Sequence, residues 1–507
     1  MAILFRFVLI DDISVSTSIL RKTLLIKIAL IVISLITALP TQANNTRLCP
    51  AQLQKEVKKV AQSPKLQASR VGVYVQTNTP NSQVLVNLDG DRYFIPASNV
   101  KLFVTAIALK TLGANYRFAT RLMSHNLPNA KGELENGLWL IGSGDPSFRS
   151  ETGLKSLVTQ LKNKGVKRIN GGIWTLTARR GEEVADSWEW SDLQEYYAAI
   201  ASPFTINENS INWTVTPDTN GKPAIFTWDN PELAKDWRVQ NQATTASVDS
   251  IYSLKVVRPY GQKVLIITGQ IPEKSEPELG GVAIPNPETN FLDLLRQELV
   301  VQGIAISTDI AATNSVKKLP PIQDLAIAYS QPLSELIFTT NKDSNNLYAE
   351  LLLRALGDRL HEITPYDSVL GGMMMISKYL QSINVPSSSV LLADGSGLSR
   401  RSLTTPKTIV QLLQSASTDR NFRKSLAIAN VDGTLTNRFK NTAAQGLIQA
   451  KTGTLTGTIA LSGYADPQNY HEVIFSIIIN NSNLPTRELQ QYIDAIALLL
   501  TRLENCE

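Results

Sequence analysis

A helix with no polar face has to be buried, and one stretch of this chain calls for such a helix. From Pro96 the sequence runs Ala97-Ser98-Asn99-Val100-Lys101-Leu102-Phe103. It stays largely apolar through Val104, Ala106, Ile107, Ala108 and Leu109 to Leu112, where Gly113 offers a stop. Ser98 falls at the N-terminus, and Lys101, one turn on, lies on the same side. A lysine inside a core is costly unless it is paired. Desolvation lowers its pKa and makes the neutral amine, a usable base, accessible. Beside a serine hydroxyl, that amine can take the proton as oxygen attacks a carbonyl. Taken alone, Ser-x-x-Lys also fits an N-cap serine followed by a surface lysine.

The chain has 507 residues, 43% hydrophobic and 18% charged, so it can fill the core of two or three domains. The net charge of +5 is small for this length, and no basic block points to nucleic acid. Arg21, Lys22 and Lys27 precede the apolar segment Ile28 to Leu39, followed by Pro40 and Thr41-Gln42-Ala43. This pattern reads as a secretory signal over residues 1–43 with cleavage after Ala43, and so as an exported, periplasmic or cell-envelope protein. An uncleaved membrane anchor is the alternative, and residues 1–20 make a long lead. Cys49 and Cys506 stand near the two ends of the mature chain. In an exported protein such a pair suggests a disulfide, against two free thiols on frayed ends. His125, His361 and His471 show no metal spacing, so no metal or cofactor is expected.

Residues 50–62 read as a helix. Val71–Val75 and Val84–Leu88 alternate as a hairpin around the turn residues Asn78 to Asn81. After the buried helix the texture changes. Strand-like Ala119–Met123, Gly137–Ile141 and Gly172–Leu176 alternate with a helix at Leu154–Lys164. Short strands follow at Leu254–Val257 and Val264–Thr268, then a helix at Asn290–Gln302. The expectation is a first catalytic part at 44–115, an inserted region of mostly β subdomains at 116–310 with a nested β piece at about 205–285, and a second catalytic part at 311–507. That last part shows helices at Pro332–Phe338, Leu347–Leu356 and Gly371–Leu380, and strands at Ile448–Leu455, Ile459–Ala465 and Val473–Asn480. A final helix at Arg487–Leu503 has the apolar spacing of one packed on a sheet. Strands and helices at both ends predict one sheet closed by the two terminal segments.

Two further motifs lie far downstream of the first. Lys342-Asp343-Ser344-Asn345-Asn346 precedes a helix, which puts Ser344 and Asn346 at its start. Lys451-Thr452-Gly453-Thr454 sits in a strand whose glycine lets another backbone approach closely. Each alone is a fair turn or cap. Together, in this order, Ser-x-x-Lys, Ser-x-Asn and Lys-Thr-Gly resemble the signature of penicillin-binding proteins and class A β-lactamases. The long gap after Ser98 narrows the resemblance to the D-alanyl-D-alanine carboxypeptidase/endopeptidase type, the low-molecular-mass class C group. Ile141–Pro146, Asp394-Gly395-Ser396-Gly397-Leu398-Ser399-Arg400 and Val431-Asp432-Gly433-Thr434-Leu435 are similar to that family too. The resemblance implies an α/β (α+β) fold, a serine transpeptidase-like domain carrying a large insertion.

It also implies roles. Ser98 is the nucleophile and Lys101 its base. Ser344 bridges Lys101 and Lys451 and carries a proton to the leaving amine. Asn346 binds the substrate's backbone amide, and Lys451 keeps the site positive. Thr452 and Thr454, flanking Gly453, hold a terminal carboxylate, and the N–H groups of Ser98 and Thr454 form the oxyanion hole. Trp190-Ser191-Asp192, Tyr196-Tyr197 and Arg400 resemble the family's grip on the free end of a diaminopimelate residue; a loop arginine and a helix-capping aspartate are the plainer reading. The expected partners are peptidoglycan peptides, with β-lactams as inhibitors, and a membrane only if the signal stays uncleaved. A β-lactamase or esterase on the same fold and a non-catalytic cell-wall binder are the rivals.

Overall fold

The computed structural model describes residues 47–177, 184–307, 323–360 and 367–506. The expected leader at 1–43, His361 and the 310/311 boundary lie outside these residues. Helix α1 (Pro50–Ala61) leads into the hairpin β1 (Arg70–Thr77) and β2 (Val84–Leu88), then helix α2 (Val100–Leu112). The intervening region holds β3 (Ala119–Ser124), β4 (Leu138–Ile141), α3 (Lys155–Asn163), β5 (Ile173–Leu176), β6 (Ser210–Thr216), β7 (Glu278–Ala283), α4 (Pro287–Val301) and β8 (Gln323–Tyr329). Helices α5 (Leu333–Lys342), α6 (Asn346–Gly357), α7 (Ser368–Ser382) and α8 (Pro406–Ala416) come next. Strands β9 (Ala427–Ile428), β10 (Ile448–Leu455), β11 (Thr458–Ala465) and β12 (Val473–Asn480) and helix α9 (Thr486–Leu500) complete the chain.

The central antiparallel sheet has the order β2-β1-β12-β11-β10-β9. The N-terminal strand β1 pairs along its length with the last strand, from Arg70 opposite Asn480 to Thr77 opposite Val473. Every residue of β11 and β12 is buried, because helices cover both faces. Alternate side chains serve the two layers. Phe475, Ile477 and Ile479 meet Leu53, Val57, Ile493 and Ile496 of α1 and α9. Ile474 and Ile478 meet the layer that contains Phe103, Ile107 and Leu413 of α2 and α8. Burial on both faces also accounts for the near-continuous apolar reading of these strands. The closing helix stops at Leu500, short of the expected Leu503, because the chain turns to form a bridge between Leu48 and Leu503. Beside it Cys49 and Cys506 are joined in a disulfide.

Helix α2 is buried on every side from Val100 to Leu109, and α5, α6, α7 and α8 pack around it. In the inserted region, β8, β3, β4 and β5 form a sheet packed against α3 and α4. The sequence reading counted Gln323–Tyr329 with the catalytic part. Its pairing with β3 instead puts it with the inserted elements, so those run on to Tyr329. Residues from Ile211 to Ile284 have their own small core of Trp213, Leu265, Ile267 and neighbours. Among the described residues, no helix is long and apolar enough to cross a membrane.

Candidate active site

Ser98 sits in a single 3-10 turn, Ala97–Asn99, that feeds straight into α2. The turn is anchored to the sheet from behind: Asn99 Nδ2 donates to Ser462 Oγ at 2.7 Å, and Ser462 Oγ lies 2.9 Å from Ser476 Oγ. Ala97 has φ +48°, a left-handed conformation that costs a non-glycine residue about 1–3 kcal/mol and persists only where its surroundings hold it. Gly397 is one of those surroundings. Its φ is +79°, and a Cβ there would lie 1.9 Å from the Ala97 carbonyl oxygen, so only glycine fits.

Lys101 is 0% exposed. Its Nζ lies 2.9 Å from Ser98 Oγ, 2.6 Å from Asn346 Oδ1 and 2.6 Å from the Ser396 carbonyl oxygen. Asn346 Nδ2 donates to the Tyr197 carbonyl at 2.7 Å, which fixes the amide with Oδ1 toward the lysine. Burial pushes the Lys101 amine down to about 7, against the opposing pull of Asp394 and Glu350. A neutral amine has two N–H donors and one lone pair. The two carbonyl-type acceptors take the donors, which leaves the lone pair for the Ser98 hydroxyl.

Ser344 has φ +59° at the turn before α6, and its Oγ accepts from Lys451 Nζ at 2.8 Å. Lys451 is also 0% exposed, and it gives a second hydrogen bond to the Thr452 carbonyl at 2.8 Å. Burial and the neighbouring Lys101 push its amine well below the usual lysine range, while Asp343 pulls the other way. This differs from three sequence expectations. Ser344 is bonded to Lys451 but not to Lys101, whose contacts go to Ser98, Asn346 and Ser396. A standing charge on Lys451 is opposed by the same desolvation that lowers the Lys101 amine. Asn346, expected to face substrate, spends both amide atoms on Lys101 and Tyr197.

Strand β10 runs past the serine turn. A Cβ at Gly453 would lie 2.8 Å from the Pro96 carbonyl oxygen and 3.1 Å from Ser98 N, so glycine permits this close approach. Strand β9 pairs only with Gln449 and Ala450, which leaves the 451–455 part of that edge unpaired by it. Thr452 Oγ1 donates to Thr434 Oγ1 at 2.8 Å, and Thr454 is exposed. The Val431–Leu435 stretch is tied back by an ion pair between Asp432 and Lys342.

The inserted segment roofs this cleft. Trp188 and Ala198 pack on Leu398, with Leu193 and Leu455 beside them. Trp188 Nε1 donates to Asp394 Oδ2 at 2.9 Å, and Asn345 Nδ2 donates to Glu208 Oε2 at 2.7 Å. Tyr197 OH donates to Asp192 Oδ1 at 3.1 Å. Burial raises the Asp192 carboxyl, opposed first by that hydrogen bond. Arg400 is committed elsewhere: its Nε donates to Glu189 Oε1 and its guanidinium reaches the Thr456 carbonyl, both at 2.8 Å.

Glu350 and Asp394 were not singled out from the sequence as individual site residues. Glu350 was legible in principle, as an acid in the apolar run Leu347–Leu356, four residues from both Asn346 and Arg354. Asp394 sits inside a quoted motif, but its burial at 0% exposure depends on how that loop folds under Trp188. Among the described residues, no three His, Cys, Asp or Glu side chains come together in a way that could hold a metal ion.

Comparison with known proteins places this geometry. The family described as D-Ala-D-Ala carboxypeptidase 3 (S13) matches residues 53–503. A D-alanyl-D-alanine carboxypeptidase of Actinomadura sp. (strain R39) is 30% identical over 496 residues, covering 95% of this chain and 90% of that protein. The D-alanyl-D-alanine carboxypeptidase DacB of Haemophilus influenzae is 26% identical over 427 residues, 82% of this chain and 86% of that one. The crystal structure of penicillin binding protein 4 (dacB) from Haemophilus influenzae shares the fold, with a TM-score of 0.73 at 24% identity over 87% of this chain and 97% of that one. That protein complexed with a β-lactam gives a TM-score of 0.68 at the same 24% identity, over 87% of this chain and 98% of that one. A serine and two buried lysines at one cleft, a match along nearly the whole described chain and a relative aligned over most of both lengths lead to one conclusion: the chain belongs to the D-Ala-D-Ala carboxypeptidase 3 (S13) family and is a serine-type carboxypeptidase.

Proposed function

We propose that Ser98 is the nucleophile of an exported carboxypeptidase that trims D-alanine from peptidoglycan stem peptides through an acyl-enzyme. The observation that carries this reading is the 2.9 Å contact between Ser98 Oγ and the Nζ of a fully buried lysine. Lys101 takes the hydroxyl proton as Oγ attacks the carbonyl between the two D-alanines. The N–H groups of Ser98 and Thr454 receive the developing oxyanion; such donors contribute on the order of 3 kcal/mol each. Ser344, hydrogen-bonded to Lys451 in the free site, turns toward Lys101 and relays to the leaving amine the proton that Lys101 took, which returns Lys101 to its neutral form. Water then cleaves the acyl-enzyme: Lys101 takes a proton from the water and returns it to Ser98 Oγ as the ester bond breaks. When the leaving amine belongs to a second stem peptide, the same steps open a cross-link, which is endopeptidase action.

Thr452 and Thr454 hold the terminal carboxylate. Its negative charge would draw a proton back to Lys451, so the two-lysine site gains charge when substrate arrives. Asp192 with Tyr197, and Arg400, serve the free end of the stem side chain. A substrate carboxylate has to displace Glu189 from Arg400 to be bound there. Export is supported by the leader pattern and by a disulfide, which persists in oxidising compartments.

A β-lactam imitates the D-Ala-D-Ala unit, so benzylpenicillin is expected to add its intact mass to the peptide carrying Ser98. Mass spectrometry of the purified mature protein, with and without the drug, tests this. No adduct with penicillin consumed would favour a β-lactamase, and no adduct with penicillin intact a binding protein. The acylation rate should depend on pH as well. The neutral amine is the active form, so the rate is constant above about 7 and falls as the amine is protonated, about tenfold per pH unit lower down. Stopped-flow acylation from about pH 5 to about pH 9 measures this; a flat profile would remove Lys101 as the base.

A further inference from the structure

We propose that Glu350 is a positioning residue for acylation: it anchors the N–H of Ser396, the residue whose carbonyl meets the Lys101 amine, and presents a buried negative charge to that amine. The proposal rests on the reading of Ser98 and Lys101 above. Glu350 lies one turn beyond Asn346 on α6, so both side chains leave the same face of the helix. It is 1% exposed. Its Oε1 accepts from two consecutive backbone N–H groups, Gly395 at 2.8 Å and Ser396 at 2.9 Å. Its Oε2 accepts from Arg354 Nη1 at 2.8 Å, and Arg354 is itself only 4% exposed. Three donors on one carboxyl suit the ionised form, which only accepts.

Glu350 holds Ser396 by its N–H, and the carbonyl of that same residue meets Lys101 Nζ at 2.6 Å; the peptide that carries this carbonyl is held at its other end by Gly397 N–H on Asp394 Oδ1. Helix α6 therefore orients the amine twice, directly through Asn346 Oδ1 and indirectly through Glu350 and Ser396. Five charged or titratable groups are arranged on or behind this amine: Asp394 in the loop, Glu350 with Arg354 behind it on α6, Lys451 on β10, and Asp343 before α6. Asp394 is occupied in shaping the loop itself, accepting from Gly397 N, Ser399 N and Trp188 Nε1. Burial pushes the Glu350 carboxyl up and Asp394 adds to that, while Arg354 and the Ser396 N–H oppose it. Glu350 in turn favours the protonated amine. The midpoint of the acylation profile therefore records the Glu350 charge.

The test is the pH dependence of benzylpenicillin acylation in full-length mature protein carrying Glu350→Gln or Glu350→Asp. Glutamine keeps an oxygen for the two N–H groups but removes the charge. Its acid limb is expected to move about one pH unit lower. Aspartate keeps the charge but draws it back from the loop by one methylene. Its midpoint is expected to stay near that of wild type while the plateau rate falls about tenfold or more. A residue that only holds the fold would lower the melting temperature and move neither quantity in either variant, and that result overturns the proposal. So does a glutamine midpoint that stays put or rises. If the glutamine variant fails to fold, the aspartate plateau decides, and an unchanged plateau sinks the idea. Absence of acylation in wild type defeats the Ser98 reading; wild-type acylation with unmoved variants defeats Glu350 alone.

Discussion

Protein carrying Ser98→Ala is expected to form no benzylpenicillin adduct and to lose carboxypeptidase turnover by at least about 10⁴-fold. The loss is this large because the covalent route disappears with the hydroxyl oxygen; among the described residues, no other hydroxyl is hydrogen-bonded to Lys101 Nζ. The fold should tolerate the change. Ser98 is part-exposed, and Lys101 keeps Asn346 Oδ1 and the Ser396 carbonyl as acceptors. The cost in stability is that of one hydrogen bond, about 1 kcal/mol. Intact-protein mass spectrometry reads the first outcome, and release of D-alanine from a D-Ala-D-Ala peptide reads the second. An adduct persisting at another residue would sink the assignment of the nucleophile.

Removing the Lys101 amine should slow acylation by roughly 10²- to 10⁴-fold, the usual contribution of a positioned base. Alanine is a poor probe of this step. Lys101 fills a fully buried site, and alanine would leave a cavity, which for a long side chain costs about 2–5 kcal/mol. Lys101→Met is the better variant, because it keeps the volume and discards the amine. Holding the amine at about 7, down from 10.5, means that burial works against folding by on the order of 5 kcal/mol at pH values below both. Methionine escapes that cost but leaves Asn346 Oδ1 and the Ser396 carbonyl without their donor, about 1–3 kcal/mol each. The two effects nearly offset, so a melting temperature close to wild type is expected alongside the lost rate. Acylation at the wild-type rate would take Lys101 out of the mechanism.

Much of the candidate site was legible in the chain because its residues are carried on short local stretches. Ser98 and Lys101 are one helical turn apart, Ser344 and Asn346 share a turn before a helix, and Lys451 to Thr454 occupy one strand. The helix from Val100 announced its burial by having no polar face. Strand β12 announced its position by a near-continuous apolar run, which suits a sheet covered on both sides. The pairing of the two chain ends followed from strands and helices at both termini.

What the sequence could not decide was which partner each polar atom takes. Ser344 is bonded to Lys451 and not to Lys101, and Arg400 is tied to Glu189 rather than to Asp192. Those choices depend on distances of a few tenths of an ångström, set by how α6, β10 and the loop from Asp394 pack against one another. The inserted strand Gln323–Tyr329 was assigned to the wrong side of a boundary because strand partners are chosen by long-range pairing, and nothing in seven residues names β3 as the neighbour. The chain by itself therefore determined which chemical groups are present and on which elements they ride. The tertiary structure decided their charge and their alignment, because both depend on desolvation by residues far away in sequence: Glu350, Asp394 and Trp188 bear on a lysine whose own neighbours in the chain are apolar or uncharged.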